Sequence, residues 1–102
     1  MKNPELLGYF VECYYNQSVD NIELDDVVED FKYSESSFVV KQLVSECCDI
    51  IKQGVGDEIV LFIRQNGRRM RSHKAELFIK FLYNRLTDTP TEMTPLILQR
   101  IE

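Results

Sequence analysis

Apolar residues recur three and four positions apart along most of this chain, the period of helices that pack one side against a core. Leu6, Leu7, Phe10 and Tyr14 keep that spacing, with Asn3 as a cap and Pro4 at the first helical position ahead of them. The pattern predicts an amphipathic helix from Pro4 to about Tyr15, followed by a connection at Asn16-Gln17-Ser18. A second helix is expected after Asn21 as cap. Its apolar stripe is Leu24, Val27, Val28 and Phe31, which leaves Glu23, Asp25, Asp26, Glu29 and Asp30 on the other face. Ser34, Ser36 and Ser37 mark the next break and offer caps. From Phe38 to Gln53, Val40, Leu43, Val44, Cys47, Ile50 and Ile51 fit a long core-facing helix that Gly54 stops.

Asp57 to Gln65 carries no useful period, because Ile59-Val60-Leu61-Phe62-Ile63 is a continuous apolar run that suits a buried strand or a buried helix. No other segment offers a strand partner, and a lone strand leaves its backbone unsatisfied. A short helix capped by Asp57 and ended by Asn66-Gly67 is therefore preferred. Arg68-Arg69-Met70-Arg71 reads as a basic loop, Ser72 as a cap, and His73 to Leu86 as the last major helix, carrying Leu77, Phe78, Phe81, Leu82 and Arg85. Thr87 to Thr94 reads as a linker, and Thr94-Pro95 opens a short turn from Leu96 to Ile101. The expected fold is all-α: one domain spanning residues 1–102, a bundle of about five helices with a short C-terminal helical turn, and residues 88–102 as a peripheral tail.

Composition supports a folded domain. With 102 residues, 44% hydrophobic and 28% charged, the chain has the length for one modest core and is too apolar for a disordered segment. No apolar run approaches the roughly 20 residues that cross a bilayer, and Met1 to Glu5 lacks the hydrophobic stretch of a secretory signal. Three cysteines, Cys13 and the vicinal Cys47-Cys48, suit reduced thiols better than a disulfide framework, so a cytoplasmic location is expected.

Charge changes the picture most. Residues 1–58 hold thirteen Asp or Glu and four Lys or Arg, while residues 59–102 hold four and eight; balances of −9 and +4 make up the net −5. Asp20, Glu23, Asp25, Asp26, Glu29, Asp30 and Glu35 crowd one stretch and meet only Lys32. The like-charge pairs Asp25–Glu29 and Asp26–Asp30 are expected to cost a few tenths of a kcal/mol each in a helix. Such a run is either a solvated helix face or a docking face that steers a basic partner. Tyr14 and Tyr15, with Tyr9 nearby, favour docking, because tyrosines beside acids are common interface anchors. The candidate binding residues are Tyr14, Tyr15, Asp20, Glu23, Asp25, Asp26, Glu29 and Asp30.

Catalytic chemistry is poorly supplied. His73, the sole histidine, sits at the start of a helix, and one histidine cannot make a Cys/His zinc site with three scattered cysteines. No C-x-x-C occurs, Gly54-Val55-Gly56 is too short and acid-flanked for a phosphate cradle, and no EF-hand loop is present. No catalytic residue, metal site or cofactor is expected. A pI near 4.9 argues against general nucleic-acid binding. The alternative is a small adaptor that binds RNA or a protein through the basic loop Arg64–Lys74, using Arg68, Arg69, Arg71 and Lys74.

Leu6-Leu7-Gly8-Tyr9-Phe10, the acidic helix ending at Phe31, the Ser-started long helix and the stretch closing with Phe78 to Leu82 together resemble the small all-α immunity proteins of bacterial contact-dependent growth inhibition systems. Many of those proteins continue the Tyr-Phe pair with His-Gln-Asp-Trp; this chain reads Val11-Glu12-Cys13-Tyr14 and keeps only the aromatic. The resemblance, which extends to about residue 86, implies a cytoplasmic protein without enzymatic activity. Such a protein binds and neutralises the C-terminal toxin domain of a cognate effector, often a basic nuclease. The implied partner is that toxin domain rather than nucleic acid or membrane, and a monomer is favoured.

Overall fold

The computed structural model describes residues 4–87. Within them lie α1 (Glu5–Tyr14), a 3₁₀ turn (Asn21–Glu23), α2 (Leu24–Ser34), α3 (Ser37–Gln53), α4 (Asp57–Gln65) and α5 (Ser72–Leu86). The described residues contain no strand, and the fold is all-α. The expected linker after Thr87 and the turn from Leu96 to Ile101 lie outside the described residues.

Helix ends follow local chemistry in some places and tertiary contacts in others. Ser36 caps α3 by accepting the Val39 amide at 3.2 Å, and Gly54 ends it with φ of 87°, a conformation other residues reach only with strain. The 3₁₀ turn delays α2 to Leu24, so this helix begins three residues beyond the cap expected at Asn21. Asp57 and Ser72, also expected as caps, are instead the first residues of α4 and α5, and neither helix has a side-chain cap. The start of α1 is capped from a distance: Glu46, on α3, accepts the Leu7 amide at 2.9 Å and the Leu6 amide at 3.2 Å.

The apolar run at 59–63 is resolved as helix α4. Ile59 and Ile63, four apart, are buried on one side while Leu61 is exposed. A helix satisfies its own backbone groups, which a strand in this chain lacks the partner to do. Helix α5 is the hub of the bundle, burying Ala75, Phe78, Ile79, Phe81, Leu82 and Leu86 and making its most extensive contact with α3. Phe10 joins three helices at the centre, with its ring 5.3 Å from Phe31 and 6.2 Å from Phe78. Gly8 lets α1 cross α4 closely, since a Cβ there would sit 3.0 Å from the tip of the Phe62 ring.

Candidate functional site

Successive residues turn about 100° around a helix, and this gives α2 three distinct sides. Leu24, Val28 and Phe31 face the core. Asp25 and Glu29 occupy a shoulder directed at α5, where the Arg85 Nη2 lies 2.6 Å from the Asp25 Oδ1 and 2.8 Å from the Glu29 Oε1. The Glu29 contact is a hydrogen bond, whereas Asp25 makes an ion contact without hydrogen-bond geometry. Arg85 stands in the last turn of α5, where a cation also meets the negative end of the helix dipole. The expected repulsion between Asp25 and Glu29 is thus offset by a cation from 56 residues away in sequence. Both carboxylates are engaged inside the fold.

The third side of α2 faces solvent. Asp26 and Asp30 are exposed there, together with Glu23 from the preceding turn. No ion pair among the described residues reaches these three. Two large apolar side chains bracket them, Ile22 at 74% exposure and Tyr33 at 86%. Neither was singled out in the sequence, although both fall on the same helical face as Asp26 and a helical wheel shows it. Asp20 is exposed nearer the basic loop, close enough to favour the charge on Arg68.

The tyrosines divide sharply. The Tyr9 and Tyr14 hydroxyls both donate to the Glu35 Oε2, at 2.8 and 2.6 Å. These bonds are the main cause that raises both phenol pKa values, followed by burial and the Glu35 charge. The half-buried Tyr14 ring meets Phe31 edge-on at 5.1 Å and stacks with Phe10 at 5.9 Å. Tyr9 keeps a partly exposed ring beside it. Tyr15, expected as a second surface anchor, is fully buried: its ring stacks on Phe78 at 5.2 Å and lies 3.8 Å beneath the Arg68 guanidinium.

Arg68 is correspondingly a structural residue. It is 6% exposed, and its Nη1 donates to the Asn16 and Val19 carbonyls at 2.8 and 2.6 Å. Burial lowers its pKa, against which Tyr15 and Asp20 favour the charged form. The loop reading of RNA contact therefore loses its central cation, while Arg64, Arg69 and Arg71 remain exposed and Lys74 is half-buried. A further bond from the Arg69 amide to the Gln17 side chain ties this loop to the α1–α2 connection.

For chemistry, His73 and Cys13 are exposed, and burial pushes the Cys47 thiol pKa up, which keeps it protonated and unreactive. Among the described residues no three His, Cys, Asp or Glu side chains come together as a metal site. None of these helices is long and apolar enough to cross a membrane. The arrangement supplies an acidic outer face on α2 edged by the exposed Ile22 and Tyr33 side chains. Compared with known proteins, the chain matches a family model described as CdiI immunity protein over residues 3–88. No curated protein and no solved structure matches it.

Proposed function

Because the chain belongs to the CdiI immunity protein family of contact-dependent growth inhibition systems, we propose that it neutralises the C-terminal toxin domain of one cognate effector by covering that domain's active surface in the cytoplasm. The toxin domain is a basic nuclease in this reading, and the protein acts by binding alone, as a monomer.

The observation that carries the proposal is the outer face of α2, where Glu23, Asp26 and Asp30 stand without a basic partner among the described residues, between exposed Ile22 and Tyr33. Carboxylates in such an array speed encounter with a cationic surface and select against other partners, while apolar and aromatic side chains supply the affinity. Asp20 extends the acidic face, and Tyr14 contributes through its shared bond with Tyr9 to Glu35. Asp25 and Glu29 add to the potential while holding Arg85. Tyr15 acts from beneath, fixing the Arg68-linked loop.

Co-expression with the C-terminal domain of the large secreted protein encoded beside it tests the proposal. Rescue of growth and a co-purifying complex are expected, and Asp26→Lys with Asp30→Lys should weaken binding at least about tenfold and flatten its salt dependence. Killing that continues with no complex formed would remove the proposed function. Unchanged affinity and salt dependence in the double variant would remove α2 from the interface.

A further inference from the structure

A groove of about 620 Å³ runs between the start of α1 and the exposed side of α3. Glu5, Glu46 and Asp49 line it, and no lysine, arginine or histidine among the described residues does. Leu6, Phe38 and Val39 supply apolar surface along it. Phe38 is 75% exposed in the first turn of α3, where it covers no core. Glu46 receives the Leu6 and Leu7 amides, one on each oxygen, yet a carboxylate has about four acceptor positions and can take further donors.

We propose that this groove seats a basic segment of the protein partner, a stretch in which arginine or lysine is interleaved with aliphatic residues. The inference rests on the toxin-binding reading for the partner's identity. Charge selects the occupant: three carboxylates, with no lining cation among the described residues, repel phosphates and other acids and favour guanidinium or ammonium groups. The apolar lip selects it further. Long basic side chains lay their methylene stems on apolar surface and place their heads over aromatic rings, and Phe38 offers such a ring beside the acids. Glu5 and Tyr9 lie one helical turn apart on the exposed side of α1, and Glu35 lies just before the start of α3.

Two measurements on the full chain test this. In the first, affinity for the cognate toxin domain is compared for wild type and for Phe38→Ala with Asp49→Lys. Both positions are exposed, unlike Glu46, whose loss would also uncap α1. A fall of at least about tenfold with unchanged thermal unfolding is expected. Wild-type affinity in this variant, with loss in Asp26→Lys/Asp30→Lys, would overturn the groove while leaving the immunity reading intact. The second measurement is an NMR titration with the peptide Arg-Leu-Arg-Leu-Arg, which needs no toxin. Amide shifts centred on Gln42, Ser45 and Glu46, abolished by Phe38→Ala with Asp49→Lys, are expected. Shifts confined to α2, or none, would overturn the inference even if no toxin is bound. So would a Phe38→Ala change in the free protein that moves the resonances of residues 88–102 or alters the oligomeric state, since the occupant would then be the chain's own tail or a second copy.

Discussion

Two arginines show how differently one residue type can be used. Arg68 lies over the Tyr15 ring and donates to two carbonyls, so its removal uncovers an aromatic ring and takes a charged donor from the Val19 and Asn16 oxygens, the latter keeping the Val19 amide. Arg68→Ala should cost about 2–3 kcal/mol in urea unfolding, because an aromatic ring is uncovered and partly buried acceptors lose a charged donor, while the exposed Arg69→Ala stays within about 0.5 kcal/mol. Equal effects from the two would contradict the buried assignment. Arg85 is about one quarter exposed and serves two acids each roughly one third exposed, Asp25 and Glu29. Solvent screens that site, and Arg85→Ala is expected to cost about 1 kcal/mol. Adding Glu29→Gln should return part of the loss by removing one of two carboxylates left four residues apart, and a double-mutant cycle measures the coupling. Nothing in the local sequence assigned these roles: Arg68 reads as one cation in a basic loop, and Arg85 as a member of the α5 pattern.

At the scale of elements, the helices themselves were largely legible. The periods of Leu6–Tyr14, Leu24–Phe31 and Leu43–Ile50 mark α1, α2 and α3, and Gly54 and Gly67 sit at the predicted stops with φ of 87° and 111°. Helix starts were less so, because a cap can come from anywhere in the fold. Glu46 caps α1 from 39 residues away, a pairing that no local signature contains. Burial raises the Glu46 pKa above 4.5, opposed by the Leu7 and Leu6 amides and helped slightly by Glu5. A carboxyl raised on folding contributes stability that is fully present below the unfolded value of 4.5 and lost as pH rises through the folded value. Wild type should therefore lose stability relative to Glu46→Gln as pH climbs from about 4 to 7. Urea unfolding at successive pH values reads the difference, and the opposite slope would show that the two amide bonds outweigh burial.

At the scale of the whole molecule, the acidic half folds so that its charges separate into paired and unpaired sets. Arg85 takes Asp25 and Glu29, while Glu23, Asp26 and Asp30 remain toward solvent beside Ile22 and Tyr33. If that outward set steers a basic toxin domain, raising salt from about 0.05 to 0.5 M should slow association roughly tenfold or more and change dissociation much less. Stopped-flow mixing separates the two rates, and a salt-insensitive association rate would exclude steering. The sequence by itself determined the helical class, most of the helix spans and an acidic segment too dense to be balanced locally, because periodicity and charge are properties of near neighbours. Only the tertiary structure decided that Tyr15 and Arg68 turn inward, that Asp25 and Glu29 are held by α5, and that α1 and α3 enclose an acidic groove. Those outcomes depend on which helix packs against which, and contacts between residues 40 or 50 positions apart leave no mark on local spacing.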